Sequence, residues 1–194
     1  MTRHDGRMRV IAGTARGISL VAPRDRATRP IADRVKETLF AILGARVVDA
    51  RALDLYAGSG AIGVEALSRG AAHVTFVERG RQALAAIRDN LARTRLATDA
   101  SVQADDVLRF LAAPAGERYD LAFLDPPYAE RAILAPLERL VPHLAPGAMV
   151  VVKHFWRTEV PAAPGLTHVR ERRFGETALT FLEASSKTDG VEVP

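Results

Sequence analysis

From about residue 50 to residue 153, short apolar runs alternate with segments of helical periodicity. The strand-like runs are 52–57, 73–77, 100–104, 119–124 and 148–153. The helix-like segments between them are 61–69, 81–94, 107–112 and 133–144. Strands that alternate with helices form a parallel sheet with both faces covered by helices. The pattern therefore predicts an α/β fold with a mostly parallel sheet.

Two hairpins are predicted outside this alternating region. Short apolar runs at 8–12 and 18–21 are joined through glycines, and a helix with apolar residues at helical spacing follows over 31–43. Near the other end, extended runs at 167–174 and 177–182 predict a terminal antiparallel hairpin. We therefore expect three parts, namely an N-terminal extension over 1–45, a main domain over 46–184 and a flexible polar tail over 185–194.

Positive charge is concentrated at the beginning of the chain. Residues 1–36 hold nine basic and three acidic side chains, whereas the rest of the chain has 18 basic and 20 acidic ones. Such asymmetry favours contact with a polyanion, although a solvated surface is an equally simple interpretation. If the partner is RNA, we expect phosphate contacts from Arg9, Arg16, Arg29, Arg34 and Lys36.

The composition excludes several classes of protein. The chain has no cysteine, which rules out disulfides and thiolate zinc sites. We find no signal-peptide pattern and no apolar run near the roughly twenty residues of a membrane span. Since the five histidines show no ligand spacing, we expect no metal site. These features favour the cytoplasm, and a monomer is the simplest expectation.

A glycine-rich turn follows the first predicted strand and opens a helix. Residues 58–63 read Gly-Ser-Gly-Ala-Ile-Gly, which matches a dinucleotide-binding fingerprint, and Glu78 ends the next strand. Glu78 is placed to accept hydrogen bonds from ribose hydroxyls. Asp54, however, lies in the strand just before the turn, where a carboxylate repels a pyrophosphate and suits an ammonium group. The turn therefore favours S-adenosylmethionine (SAM) over NAD.

A second acid, Asp106, follows the third predicted strand. There it has two interpretations of equal weight. Its carboxylate could accept a hydrogen bond from an adenine amine, or it could cap the helix that follows.

The segment Asp125-Pro126-Pro127-Tyr128 ends the fourth predicted strand, at the sheet edge where α/β proteins bind ligands. An exocyclic base amine is a poor nucleophile, and acceptors for its hydrogens stabilise the positive charge that develops on methyl transfer. Asp125 and the Pro126 carbonyl are two such acceptors, and Tyr128 is suited to stack on an extruded base. We therefore predict catalysis at Asp125, Pro126, Pro127 and Tyr128.

Taken in order, these motifs resemble the class I methyltransferases of RsmD type, which methylate guanine N2 in bacterial 16S ribosomal RNA. The similarity runs from about Met8 to Glu183. Its most specific pieces are N-terminal, namely Arg-Val-Ile-Ala-Gly at 9–13, Arg-Pro at 29–30 and Asp-Arg-Val-Lys-Glu-Thr-Leu-Phe at 33–40.

The resemblance implies a Rossmann-like, mostly parallel seven-stranded sheet and SAM as cofactor. It implies 16S rRNA as partner, within a 30S subunit or an assembly intermediate. We expect the cofactor to contact Asp54, Tyr56, Ala57, Gly58, Ser59, Gly60, Glu78, Arg79, Asp106, Val107 and Asp125.

The chain departs from this family's pattern in two places. Ile31-Ala32 stands where two threonines are usual, and Lys153-His154 stands where an acid is more typical. Around the second departure we expect a packed Trp156 with exposed neighbours; the alternative is that Lys153, His154 and Trp156 contact RNA through charge and stacking.

Other functions stay open at this point. An adenine-N6 methyltransferase would use the same acceptors, but a DNA enzyme would usually need a recognition domain that 194 residues leave little room for. A protein-glutamine methyltransferase usually has Asn in place of Asp125. An RNA-binding module without SAM is the non-enzymatic alternative.

Overall fold

The computed structural model describes residues 8–23, 31–126 and 131–186. Its α-helices are α1 (Asp33–Leu43), α2 (Ala61–Ser68), α3 (Arg81–Thr94), α4 (Val107–Ala112) and α5 (Arg131–Leu140). Its strands are β1 (Arg51–Leu55), β2 (His73–Glu78), β3 (Ala100–Ala104), β4 (Tyr119–Leu124), β5 (Leu144–Phe155), β6 (Leu166–Phe174) and β7 (Thr177–Ala184).

These strands form one sheet of seven within the described residues, in the order β3-β2-β1-β4-β5-β7-β6. The pairs from β3 to β5 are parallel, and β7 is antiparallel to both β5 and β6. Strand β1 lies between β2 and β4 and is buried almost throughout, because helices cover both faces of this part of the sheet. The predicted fold class and the terminal antiparallel hairpin are confirmed.

The turn between β1 and α2 depends on glycine at two positions. Gly60 has a φ of +74°, a conformation that favours glycine. Gly63 is helical, but a Cβ on it would lie 2.3 Å from Cε1 of Phe76 on β2. The last glycine of the fingerprint therefore lets α2 pack closely against the sheet.

The N-terminal extension contains less regular structure than the predicted hairpin. A single bridge joins Arg9 to Ser19, flanked by hydrogen bonds such as Leu20 N–H to the Met8 carbonyl (2.7 Å). Met8, Val10 and Leu20 nevertheless belong to the core cluster that contains α2 and the central strands. Residues 8–23 therefore pack as part of the main hydrophobic core.

A fully buried carboxylate on α2 holds this extension in place. Glu65 accepts hydrogen bonds from the backbone N–H groups of Ile11 (2.8 Å) and Ala12 (3.0 Å). It also pairs with Lys36 Nζ on α1 (3.0 Å) and with Arg69 Nε (2.8 Å). The extension, α1 and α2 thus meet at one buried charge.

The expected boundary between α5 and β5 is wrong. The α-helix ends at Leu140, a 3-10 turn covers Val141–His143, and β5 begins at Leu144. Pro146 and Gly147 do not interrupt the strand, because a register shift opposite β4 accommodates them. At the far end, Ser185 N–H still bonds to the Gly165 carbonyl (2.9 Å), and the rest of the expected tail, 187–194, lies outside the described residues. No helix in the described part of the chain is long and apolar enough to cross a membrane.

Candidate active site

A cavity of about 380 Å³ opens at the carboxyl ends of β1, β2 and β4. It contains most of the residues that the sequence assigned to a cofactor: Asp54, Tyr56, Ala57, Gly58, Ser59, Glu78, Arg79, Asp106, Val107 and Asp125. Gly60 does not line it. Its N–H bonds instead to the Ala57 carbonyl (2.7 Å), so Gly60 shapes the turn.

Glu78 is fixed at the cavity wall by backbone donors. Oε2 accepts from Gly58 N–H (2.9 Å), while Oε1 accepts from Arg79 N–H (2.8 Å) and Gly80 N–H (2.7 Å). The glycine turn and the end of β2 therefore orient one carboxylate. Oε2 has a lone pair left for a ligand hydroxyl, whereas the two backbone donors use both lone pairs of Oε1.

Asp54 lies deepest among the acids, with 3% of its surface exposed. Its Oδ2 accepts a hydrogen bond from Gly63 N–H at 3.0 Å, at the start of α2. Burial raises the pKa of Asp54 to about 8, which the Gly63 hydrogen bond opposes and the negative charges of Asp125 and Glu78 reinforce. A cationic ligand group would stabilise the ionised form of this carboxyl.

Asp106 caps the helix that follows it, which was one of its two expected roles. Its Oδ1 caps α4 by accepting from Leu108 N–H (3.0 Å), and its Oδ2 pairs with Arg79 Nη1 (3.1 Å). The same residue lines the cavity. Burial, with the added charge of Asp106, raises the pKa of the neighbouring Tyr56 phenol.

Asp125 follows β4 and lines the same cavity as Asp54 and Glu78. Its Oδ2 accepts a hydrogen bond from Lys153 Nζ at 2.5 Å. Burial raises the pKa of Asp125, and the positive charge of Lys153 opposes that rise. Pro126 lines the cavity beside it, whereas Pro127 and Tyr128 lie outside the described residues.

The expected surroundings of Trp156 are wrong. Lys153 and His154 are buried instead of exposed. Lys153 pairs with Asp125, and His154 Nε2 forms a hydrogen bond with Thr180 Oγ1 (2.8 Å). Trp156 itself is half-buried, with the guanidinium of Arg173 at 3.5 Å from its ring centroid. Alternation along β5 gave no signal for this, since the strand is buried on both faces.

The charged groups that line the cavity are mostly acidic. Within the described residues they are two cations, Arg79 and Lys153, and five carboxylates, Asp54, Glu78, Asp105, Asp106 and Asp125. Both cations are paired, Arg79 with Asp106 and Lys153 with Asp125. The cavity therefore favours a cationic ligand and disfavours a pyrophosphate.

Part of the cavity wall was not expected from the sequence. The N-terminal extension and the segment before α1 contribute the apolar residues Met8, Ala22, Pro23 and Ile31. Buried Asn90 fixes this wall, because its side chain accepts from Val21 N–H (2.7 Å) and donates to the carbonyls of Val21 (3.0 Å) and Ser59 (2.9 Å). Such contacts between distant segments leave no periodic signal in the sequence.

One predicted phosphate contact is wrong. Lys36 has no exposed surface and is paired with Glu65, so it cannot reach a phosphate. Arg9, Arg16 and Arg34 are exposed, and Arg9 pairs with Asp33 (3.1 Å). Arg29 lies outside the described residues. Among those that are described, no group of three or more His, Asp or Glu side chains is arranged to hold a metal ion.

Comparison with known proteins identifies the family of this chain. The family model described as conserved hypothetical protein 95 matches residues 8–183. Ribosomal RNA small subunit methyltransferase D of Escherichia coli is 36% identical over 189 residues, covering 95% of this chain and 94% of that protein. The solved structure of the Escherichia coli protein YhhF is 34% identical with a TM-score of 0.84, covering 94% of this chain and 100% of that one.

A more distant solved structure, SMU.776, was determined in complex with SAH (S-adenosylhomocysteine). It is 13% identical with a TM-score of 0.64, covers 78% of this chain and 48% of its own, and shows a shared fold alone. The family match and the Escherichia coli relatives span nearly the whole chain, including the glycine turn and Asp125. The chain therefore belongs to the family described as conserved hypothetical protein 95, the RsmD family.

Proposed function

We propose that this protein transfers a methyl group from SAM to the exocyclic N2 of a guanine in 16S ribosomal RNA of the small subunit. The observation that carries the proposal is one acid-lined cavity that holds the glycine turn, Glu78 and the Asp125-Pro126 acceptors together. The relative named as a small-subunit rRNA methyltransferase supports rRNA as the substrate.

The residues of the cavity fit SAM by their chemistry. Its carboxylates complement a ligand with a positive sulfonium and an ammonium group, Asp54 being the deepest of them. Glu78 Oε2 has an acceptor for a ribose hydroxyl, and Asp106 has one for the adenine amine. Bound here, SAM supplies a methyl group on positively charged sulfur.

The protein's part in the reaction is to orient the base and stabilise its charge. The Asp125 carboxylate and the Pro126 carbonyl would accept hydrogen bonds from the two N–H groups of the base amine, which localises the nitrogen lone pair and stabilises the charge that develops there. As the N–CH3 bond forms the S–CH3 bond breaks, so SAH leaves and the methylated amine releases one proton. Proline fixes φ, so the Pro126 carbonyl is held in a stiff segment. Removing one preorganised acceptor of this kind costs about 10²–10³-fold in kcat.

Two exposed arginines that are close in sequence to cavity residues favour a polyanionic substrate. Arg9 adjoins the cavity residue Met8, and Arg34 lies in the first turn of α1, shortly after Ile31. Phosphate contacts from such side chains position RNA without reading its sequence. An adenine-N6 methyltransferase has the same acceptors, so the choice of guanine follows the family resemblance.

The test is to incubate the protein and methyl-labelled SAM with 30S particles, naked 16S rRNA and DNA, then to identify the labelled nucleoside. We expect N2-methylguanosine in the ribosomal substrates only. N6-methyladenosine would replace the guanine proposal, and no transfer to any nucleic acid by protein that binds SAM would contradict RNA methylation altogether. Failure to bind SAM would leave the RNA-binding module as the alternative.

Two variants serve as controls in that assay. Asp125→Ala should lose about 10²–10³-fold in kcat when SAM is saturating. Glu78→Ala should lose SAM binding, because it removes the carboxylate that bonds to Gly58 N–H in the glycine turn and that is proposed to accept from the ribose. An Asp125→Ala variant with full turnover would overturn the proposed mechanism.

A further inference from the structure

We propose that Lys153 is a positioning residue for this methyl transfer, holding the Asp125 carboxylate ionised and turned toward the base amine. The inference rests on the proposed function. It adds a role for a residue at the position where the family pattern has a different kind of side chain.

Strand pairing brings the two residues together. In the parallel β4–β5 register Leu124 pairs with Val152. Asp125, which directly follows β4, therefore lies beside Lys153, the next residue of β5. Lys153 Nζ lies 2.5 Å from Asp125 Oδ2, with side-chain exposures of 10% and 35%. A lysine buried to this extent depends on its partner, since an unpaired buried ammonium is costly.

The other charges around Asp125 do not replace Lys153. The titratable groups that line the cavity with Asp125 come from three places. They are Asp54 and Tyr56 at the end of β1, Glu78 and Arg79 at the end of β2, and Asp105 and Asp106 before α4. Of these only Arg79 is a cation, and it is paired with Asp106.

The remaining neighbours of the site add no charge to this set. The N-terminal wall of the cavity is apolar. On β5, the His154 ring bonds to Thr180 instead of Asp125. Among the described residues, Lys153 is therefore the cation that stabilises the Asp125 anion.

The reaction requires that anion. A protonated carboxyl presents a hydrogen toward the amine, whereas an ionised one presents acceptors from both oxygens. Burial favours the protonated form of Asp125, and Lys153 opposes it. Because Lys153 holds Oδ2, it also restricts rotation of the carboxylate and leaves Oδ1 for the substrate.

A purely structural role predicts a different result. If Lys153 only joined β4 to β5, its loss would reduce stability and lower turnover equally at every pH. If it keeps Asp125 ionised, its loss moves the ionisation of Asp125 to higher pH and leaves turnover recoverable in alkaline buffer.

The experiment titrates the Asp125 carboxyl carbon by ¹³C NMR in the cofactor-free wild type, Lys153→Met and Lys153→Arg, with Asp125→Asn to assign the signal. An adjacent opposite charge shifts an Asp pKa by about 1–3 units, so the midpoint should rise by about one pH unit or more in Lys153→Met. It should return toward the wild-type value in Lys153→Arg. An unchanged midpoint in folded Lys153→Met would overturn the proposal.

Turnover measured against pH provides the second readout. With SAM and RNA saturating, the acidic limb of kcat should move upward in Lys153→Met by the same amount as the NMR midpoint. A uniform loss across the pH range would overturn the positioning role. Should Lys153→Met fail to fold, Lys153→Gln removes the charge and keeps a hydrogen-bond donor. If the wild type methylates no nucleic acid, the proposed function fails, whereas the NMR titration still decides whether Lys153 controls Asp125.

Discussion

The ammonium group of Lys36 lies 3.0 Å from the Glu65 carboxylate, and neither side chain has any exposed surface. Lys36 also donates to the Arg9 carbonyl at 2.5 Å, while Glu65 holds the N–H groups of Ile11 and Ala12. The pair thus joins α1, α2 and the N-terminal extension. Since the extension forms part of the cavity wall, this buried charge also supports the proposed cofactor site.

Replacing Lys36 by Met should destabilise the protein by about 3–5 kcal/mol, because Glu65 would lose a partner while it stays buried. Denaturant unfolding measures the change. Arg34→Met on the same helix is the matched control, and its exposed side chain predicts a change within about 0.5 kcal/mol. Equal stability of the two variants would contradict the importance of the buried pair.

A double variant separates charge from packing. Lys36→Met combined with Glu65→Gln should be more stable than Lys36→Met alone, because Glu65 would otherwise stay buried with Arg69 as its one remaining cation among the described residues. A double-mutant cycle that shows no coupling between the positions would contradict this explanation.

The assignment of Lys36 to RNA shows where sequence reasoning failed. Helical spacing and a basic neighbourhood suggested a surface residue, yet Lys36 lies four positions before Phe40 and seven before Leu43, both buried. That spacing places all three on one helix face. A lysine on an apolar face was the available signal, and its acidic partner lies 29 positions away on α2.

The parallel sheet and the glycine turn were predictable because their signals are local. Apolar runs of strand length, helical periodicity and the fingerprint at 58–63 each depend on near neighbours in sequence. The pairing of Asp125 with Lys153 and the attachment of Val21 by Asn90 depend on contacts across the fold. Residue type and spacing along the chain do not specify such contacts.

Gly63→Ala should destabilise the protein by about 1–3 kcal/mol, despite the higher helix propensity of Ala, because the added methyl overpacks a buried ring. Its Cβ would lie 2.3 Å from Phe76 Cε1. Thermal unfolding is the measurement. SAM affinity should fall too, since movement of α2 disturbs the hydrogen bond from Gly63 to Asp54.

Two companion variants check the cause. Gly116→Ala should have little effect, because no described atom beyond its two chain neighbours lies within 4 Å of the place that the new methyl would occupy. Adding Phe76→Leu to Gly63→Ala should recover part of the loss by making room for the methyl. A Gly63→Ala protein as stable as wild type would mean that α2 adjusts freely.

SAM affinity should rise with pH up to about 8 through Asp54. The free protein holds this carboxyl mostly protonated at neutral pH because its pKa is raised to about 8. A cationic ligand favours the ionised form and lowers that pKa in the complex, so binding releases a proton at neutral pH and no longer does so well above pH 8. Calorimetry in buffers of different ionisation enthalpy measures the proton release.

Asp54→Asn is the control, because its amide oxygen can still accept from Gly63 N–H but does not titrate. The amino group of SAM itself loses charge near pH 8, so the two proteins are best compared below that pH, where the ligand keeps its charge. The ratio of the two Kd values therefore isolates Asp54. A ratio that stays constant from pH 6 to just below pH 8 would contradict the contact.

RNA binding should depend more on Arg34 than on Arg16. Arg34 lies in the first turn of α1, close in sequence to the cavity residue Ile31. Arg16 lies in the turn that docks on the carboxyl end of α2, where Thr14 N–H bonds to the Ser68 carbonyl (2.8 Å). Since α2 begins at the cavity and spans eight residues, its far end lies roughly 12 Å away.

Arg34→Ala should weaken binding to any RNA sequence. It should also reduce the slope of log Kd against log salt concentration by about 1, the amount expected for the loss of one phosphate contact. Arg16→Ala should have a smaller effect on both quantities. Arg46→Ala is the control, because Arg46 bonds to Gly147 and Glu183 at the opposite edge of the sheet. Fluorescence anisotropy at several salt concentrations measures all three, and an Arg46→Ala effect as large as that of Arg34→Ala would place the RNA elsewhere.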